Sequence, residues 1–590
     1  MNINILTLLK AGLIDDLDHH FSRFIVQKEK RTLSGAELTV IEIGCALISR
    51  QISKGNICLS EKDLEILKGE AGILGDGFPS WEEMCRIFIG TQWCTDGTEP
   101  KPVVFDGERF YLYRYWNYEN RLASAIMKMS VEKNLFSQRY GDASEMAENM
   151  FKNSSSGILQ LKAVQGVFRN RFNVITGGPG TGKTTVIAKI ISILWKLFPD
   201  SVVKLAAPTG KAAARINESI SGAVEQMQGA IDPEVSEKLK KLSGSSIHRL
   251  LGWTSKPGVF RHSIDNPIEA DLLIVDEASM VDLALMSLLL EAVKPDASIV
   301  LLGDKDQLTS VEAGNVLGDI FYAASLGYIN SSTVTEFTES YRFKKGTGIG
   351  ELANVVNTGI SEEKMTDILK NTGIGSVDHI DPEDNHFVEK MSSIIVEKYS
   401  DIFLRDDNEK VFDRFEKFRI LCATRKGKTG VEEINRFAEK VLKKRDLIPE
   451  NDIWYHGRPV MVLENDYNLE LYNGDCGLIL ESDGEKRAVF RGGQTGFRTF
   501  PVSVLPQIET VYAMTVHKSQ GSEYDSVMII FPDRDTPVLT KELVYTAVTR
   551  AKKQITIISE MKLFLLAASR SGVRSSGLVS SFKHYGKKTV

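Results

Sequence analysis

Cysteine is scarce in this chain. Six residues (Cys45, Cys58, Cys85, Cys94, Cys422 and Cys476) are spread over 590 positions, with no C-x-x-C pair and no zinc-like spacing. That excludes a disulfide framework and gives no sign of a structural zinc site, and it fits a reducing compartment. No run of eighteen apolar residues exists, so nothing reads as a membrane span. The amino terminus lacks a basic segment followed by an apolar core and a cleavage site, so no secretory signal is expected and the chain reads as cytoplasmic. Positive charge is not in excess either: the net charge is −6, so contact with nucleic acid has to come from a local groove and not from the field of the whole molecule. What is present is ordinary for a globular protein, with 42% hydrophobic and 25% charged residues, at a length that implies several cores.

The stretch with the clearest chemistry is Gly177-Gly178-Pro179-Gly180-Thr181-Gly182-Lys183-Thr184-Thr185. An apolar run, Phe172 to Thr176, precedes it, and a helix-like run continues to Leu197. Strand, glycine loop and helix are the setting of a phosphate-binding loop. Glycines let backbone N–H groups close around phosphate oxygens, and the helix start adds its partial positive charge. Lys183 is expected on the β- and γ-phosphates and the Thr184 hydroxyl on Mg²⁺, so the cofactors are ATP and Mg²⁺.

Further apolar strands with polar exits surround this loop. Val203 to Ala207 runs into Pro208-Thr209-Gly210-Lys211, and Ser246-Ile247-His248-Arg249 follows. Leu272 to Val275 ends in Asp276-Glu277, and Ser298 to Leu302 ends in Gly303-Asp304-Lys305-Asp306-Gln307. Continuous apolar strands separated by helices predict a parallel sheet covered on both faces, with ligands at the carboxyl ends of its strands. Asp276 is placed to hold Mg²⁺ and Glu277 to deprotonate the attacking water, although the same pair at a helix start reads as a simple cap.

A second α/β series begins beyond residue 335. It contains Tyr341-Arg342, Phe418 to Arg425, Val511 to Tyr524 and Leu543 to Arg550, and it lacks a phosphate loop of its own. One shared site in the cleft between two domains follows. A single arginine reads as well as a structural residue; two, Arg342 and Arg550, suit γ-phosphate oxygens and would make closure depend on the terminal phosphate. Short strands with Asn-Gly and Gly-Gly turns between 451 and 508 predict a small inserted β-barrel. In the first 140 residues, the aromatics of Arg109 to Trp116 read either as base-stacking groups or as a hairpin in a small core, and the second is favoured.

Taken in order, these segments resemble the helicase motifs of superfamily one, and most nearly the RecD-type helicases, the alpha chains of bacterial exodeoxyribonuclease V. The likeness covers essentially the whole chain. Motif I resembles Gly177 to Thr185, Ia Pro208 to Arg215, Ib Ser246 to Arg249, II Asp276 to Ser279 and III Gly303 to Gln307. Motif IV resembles Tyr341-Arg342, V Thr515 to Tyr524 and VI Val544 to Arg550. Gln160 is similar to a Q-motif glutamine that reads adenine, with Gln165 as an alternative.

The resemblance implies an α/β fold of two RecA-like parallel-sheet domains forming an ATP cleft, with a helical or mixed amino-terminal domain and a small inserted β-barrel-like domain. The expected divisions are 1–140 for partner docking and 141–335 for the first RecA-like domain, with a pin hairpin at 253–265 turning at Lys256-Pro257-Gly258. The second RecA-like domain takes 336–450 and 509–575, the insert 451–508, and a flexible tail 576–590. The catalytic set is Lys183, Glu277, Gln307, Arg342 and Arg550. Gln160 and Gly177 to Thr185 bind nucleotide, and Thr184 and Asp276 bind the metal. Thr209, Lys211, His248, Arg425, His517 and Ser519 contact DNA, although His248 and His517 read equally as core histidines. The implied activity is ATP-driven 5′→3′ translocation and unwinding, on single strands and duplex ends, beside RecB-type and RecC-type subunits in a heterotrimer. A stand-alone superfamily 1 DNA or RNA helicase and a nucleotide-switched scaffold subunit remain alternatives.

Overall fold

A computed structural model describes residues 4–71, 78–152, 157–227, 231–254, 259–342, 348–370, 376–466, 468–482, 484–492 and 496–588. In the amino-terminal part a short helix, Ile5–Lys10, precedes helices Asp16–Lys28 and Gly35–Ser53, the last two each started by a capping box, Asp15 with Asp18 and Ser34 with Glu37. Strands β1 (Cys58–Ser60), β2 (Cys94–Thr95), β3 (Val103–Phe105) and β4 (Arg109–Leu112) form a sheet in the order β1-β4-β3-β2. Asp106 and Gly107, the latter at φ +98°, turn β3 into β4. Phe110 is fully buried with its ring 5.1 Å from Trp81 and 5.2 Å from Phe88. The first of these aromatics are therefore core. The hairpin ends at Leu112, however, and Tyr113 to Trp116 begin a long helix, Tyr113–Val131.

β5 (Phe172–Gly177), β6 (Val203–Ala207), β7 (Gly244–Ser246), β8 (Leu272–Val275), β9 (Ser298–Gly303) and β10 (Val334–Phe337) form a parallel sheet ordered β10-β5-β9-β8-β6-β7. Alternation along its strands separates two cores. Val174, Leu273, Val275, Ile299 and Leu301 pack on one face, and Ile175, Leu272, Ile274, Val300 and Leu302 on the other. Both faces are dry, which is why these strands are apolar throughout. Each such side chain contributes roughly 1.5–3 kcal/mol of burial.

A second sheet contains β11 (Ser376–Ile380) and β12 (Phe418–Cys422). An insert follows, made of β13 (Arg458–Val462), β14 (Cys476–Ser482), β15 (Glu485–Arg491), β16 (Phe497–Pro501) and β17 (Ile508–Thr510). β18 (Ala513–Thr515), β19 (Tyr524–Ile530) and β20 (Ala551–Ile558) complete the second parallel sheet, in the order β11-β20-β19-β12-β18. The molecule thus has two RecA-like lobes.

Three expectations need correction. The insert is an open antiparallel sheet, β16-β15-β14-β13-β17, whose edge strands β16 and β17 do not pair, so it is not a closed barrel. Arg491 fastens it to the second lobe through Glu409, Asp413 and Glu416. The tail is not loose: helix Leu578–Lys588 packs on Tyr113–Val131 and Val316–Ser325, with Leu578 and Phe582 buried. The segment before it is held by its backbone: the Ile57 N–H donates to Ser575 O, and the Gly577 N–H to Glu119. Burial, helped by Asp319, holds the Glu119 carboxyl up at about 8. Finally, β10 pairs with β5, so the first lobe runs past residue 335 and carries Arg342 with it. The tip of the expected pin, Lys256 to Gly258, lies outside the described residues; its base is joined by a Trp253–Phe260 antiparallel bridge.

Candidate active site

β5 runs into the glycine loop, and helix Lys183–Leu197 leaves it. Gly180 and Gly182 sit at φ +73° and +85°, where a side chain is strained. Space is also lacking, since a Cβ on Gly180 would lie 2.4 Å from Arg342 Cβ and one on Gly182 2.6 Å from Gln160 Nε2. The Lys183 ammonium folds back to donate to the carbonyls of Gly177 and Gly178. Gln160 donates to Thr181 O at 3.2 Å and stands at the mouth of the loop, whereas Gln165 is turned to Ser144.

Neighbouring strand ends deliver the acids. β8 and β9 flank one another in register, so Asp276-Glu277 and Asp304 to Gln307 emerge beside the loop. Burial, and next the charge of Glu277, push Asp276 up to about 6, against the pull of Lys183 and Arg215. Glu277 itself occupies the left-handed region at φ 51°, strain of the kind stored at functional sites. Gln307 donates to Asp304 at 2.9 Å, and Tyr545 of the second lobe donates to the same carboxylate oxygen at 3.1 Å. Two more bonds join the lobes here: the Leu308 N–H to Thr546 Oγ1 at 2.8 Å, and Gln520 to Leu308 O at 2.8 Å.

The arginines come from both sides. Arg550 follows helix Lys541–Val548, is 3% exposed, and donates to Thr546 O at 3.1 Å and Ser522 O at 3.2 Å. Arg342 does not stand on the second wall as expected. The Tyr341 N–H donates to Gly180 O at 2.8 Å and Ser340 Oγ to Pro179 O at 2.9 Å, so Arg342 rides on the phosphate loop and reaches across to Glu523 at 2.6 Å.

One cleft of about 610 Å³ gathers Gln160, Pro179 to Thr185, Asp276, Glu277, Gln307, Arg342 and Arg550. That size suits a nucleotide. Arg215, Glu523 and Tyr545 are contributors that the sequence reading did not single out. All three lie in segments already matched to motifs (Pro208 to Arg215, Thr515 to Tyr524 and Val544 to Arg550), but nothing in the spacing marks their contacts.

The residues expected on DNA leave the carboxyl ends of edge-side strands: Thr209 after β6, His248 after β7, Arg425 after β12 and His517 after β18. Thr209 also caps helix Gly210–Gln226, and Lys211 lies near Asp475 of the insert. His248 is not a core histidine but is exposed, with its ring 5.6 Å from Trp253 and 6.0 Å from Phe260. Arg425 is paired with Glu509 at 2.9 Å. Ser519 departs from expectation: it is fully buried and its hydroxyl donates to Val516 O, so it shapes the turn and does not face a strand.

The chain matches three family models: the RecBCD enzyme subunit RecD N-terminal domain at residues 10–111, an AAA domain at 160–313, and the UvrD-like helicase C-terminal domain at 510–558. It is 34% identical to the RecBCD enzyme subunit RecD of Mycolicibacterium smegmatis, over 91% of this chain and 93% of that one. The chain belongs to the RecD family. Another RecD subunit, from Haemophilus influenzae, is 33% identical over 97% of this chain and 98% of its own length. Among solved structures, a Pif1 helicase studied in unwinding at forked duplex DNA overlaps 73% of this chain and 97% of its own, at 18% identity and a TM-score of 0.41. In this RecD-family chain the phosphate loop lies within the AAA match and Arg550 within the helicase C-terminal match, so the two walls of the cleft come from separately matched segments. Among the described residues no helix is long and apolar enough to cross a membrane.

Proposed function

We propose that this RecD-family chain is an ATP-dependent DNA helicase that moves 5′→3′ along a single strand, as the alpha subunit of a RecBCD-type enzyme in double-strand break repair. The observation that carries this reading is the shared cleft: Lys183, Glu277 and Arg342 from the first lobe face Arg550 and Glu523 from the second across one nucleotide-sized space. The glycine loop and Lys183 would hold the triphosphate, with Arg342 and Arg550 placed to meet its terminal phosphate and Gln160 its base. Glu277 takes the proton of the attacking water. The two guanidiniums neutralise charge that builds on the transferred phosphoryl group. Gln307, tied through Asp304 to Tyr545, reports the state of the site to the second lobe.

Mg²⁺ fits the residues present. Asp276 is a half-buried acid beside a second acid, an arrangement that a divalent cation relieves, and Thr184 lies in the first turn of the helix leaving the glycine loop. Bound there, the ion would screen the phosphate charge.

Thr209, Lys211, His248, Arg425 and His517 line the path of the strand, through phosphate and sugar contacts that carry no sequence preference. The amino-terminal domain, residues 1–140, docks a RecC-type subunit, with a RecB-type subunit completing the assembly in the cytoplasm. Strand displacement tests the central reading. Duplexes with a 5′ single-stranded tail should be unwound with ATP and those with a 3′ tail should not. Unwinding from 3′ tails refutes the polarity, and ATP binding without DNA-stimulated turnover refutes the motor in favour of a scaffold.

A further inference from the structure

Glu523 is the one acidic side chain that the second lobe contributes to the cleft lining among the described residues. Its position follows from the sheet. Gly521, at φ +68°, turns the chain out of the segment holding Ser519, and the Tyr524 N–H then donates to Arg550 O at 2.8 Å. Tyr524 pairs with Ala551, which sets Glu523 beside Arg550. From there it meets Arg342 of the first lobe at 2.6 Å, directly over Gly180, and Lys552 at 3.9 Å. Burial alone would raise the pKa of this carboxyl, yet Arg342, followed by Arg215 and Arg550, holds it below the ordinary carboxylate range. It is a charged acid facing a site built for a polyanion. Such an arrangement weakens anion binding, and it discriminates where one ligand has to displace the acid and another does not.

We propose that Glu523 sets the balance between ATP and ADP by weighing against ATP: a built-in anion that competes with the terminal phosphate for the Arg342 guanidinium. This rests on reading the cleft as the ATP site. The fork of Arg342 can serve Glu523 or the terminal phosphate fully, not both. ATP has to displace the carboxylate, whereas ADP, held by Lys183 and the loop, leaves it undisturbed. Release of the terminal phosphate returns Arg342 to Glu523, so a single ion pair replaces the grip that the triphosphate gave both lobes. The carboxylate thereby favours resetting after hydrolysis and lowers affinity for the triphosphate selectively.

The test measures dissociation constants of the full chain for ADP and for a non-hydrolysable ATP analogue. Glu523→Gln keeps the shape and removes the charge. The analogue should bind about tenfold more tightly while ADP changes less than twofold. In an Arg342→Gln background the same substitution should leave the ratio of the two constants unchanged within twofold, because the competition has lost its object. If Glu523→Gln shifts both nucleotides by one factor, the residue holds the shared part of the nucleotide and the proposal fails. It fails equally if neither constant moves, or if the selective effect persists without Arg342. A wild-type chain that binds neither nucleotide refutes the cleft reading itself, an outcome separable from all of these.

Discussion

Lys183→Ala lowers DNA-stimulated ATP turnover by about a thousandfold or more, with the fold intact. The ammonium is the one flexible cation rooted in the glycine loop, and its bonds to the Gly177 and Gly178 carbonyls show that it already reaches back over the phosphate position. Lys183 and its bonds to those carbonyls are only partly buried, so water can replace the lost donor and stability should change by less than about 1 kcal/mol. Steady-state hydrolysis with and without single-stranded DNA, beside a thermal melt, checks both halves. Turnover within tenfold of wild type would show that the nucleotide lies elsewhere.

Arg550→Ala should be as damaging by a different route. Removing an arginine that neutralises phosphoryl charge costs about 10³–10⁵ in turnover. Nucleotide binding should survive far better, because Lys183 and the loop amides lie on the other wall. Unlike Lys183, Arg550 is buried and donates to two backbone carbonyls, Thr546 O and Ser522 O. Its loss should therefore also destabilise the second lobe, by about 2–4 kcal/mol. Arg550→Lys keeps the charge without the planar fork and should restore stability more than turnover. Single-turnover hydrolysis by chain pre-saturated with ATP separates chemistry from binding. A variant that binds poorly but hydrolyses normally once saturated would contradict the assigned role.

Much of the site was legible because its chemistry is local. The run from Gly177 to Thr185 specifies its own turn and helix start, and Asp276, Glu277 and Gln307 sit at the ends of strands that are apolar on both faces. Arg550 was legible through its place before a strong strand. What escaped depends on long-range pairing. Arg342 follows a short segment, Val334–Phe337, that reads as the start of a second series, yet it pairs with β5 more than a hundred residues earlier in the chain and so changes walls. Ser519 sits among polar neighbours, and only the tight turn at His517 to Ser519 buries it. The serines and glycines of 571–577 look unstructured in isolation, but their backbone groups find partners at Asn56, Ile57 and Glu119, and the apolar pair Leu578 and Phe582 then has a surface to cover. The open edge of the insert was hidden for a related reason, since alternation and turns specify antiparallel strands without stating whether the last meets the first.

The central claim is that one triphosphate is gripped by both lobes and that losing its terminal phosphate loosens them. The most direct test is the distance between the lobes, read by energy transfer between probes placed at the exposed positions Leu326 and Val388 on the first and second lobe respectively. With single-stranded DNA bound, the account predicts a shorter distance with a non-hydrolysable ATP analogue than with ADP. It also predicts that Arg550→Ala abolishes that difference. The same distance with both nucleotides in the wild-type chain would contradict it.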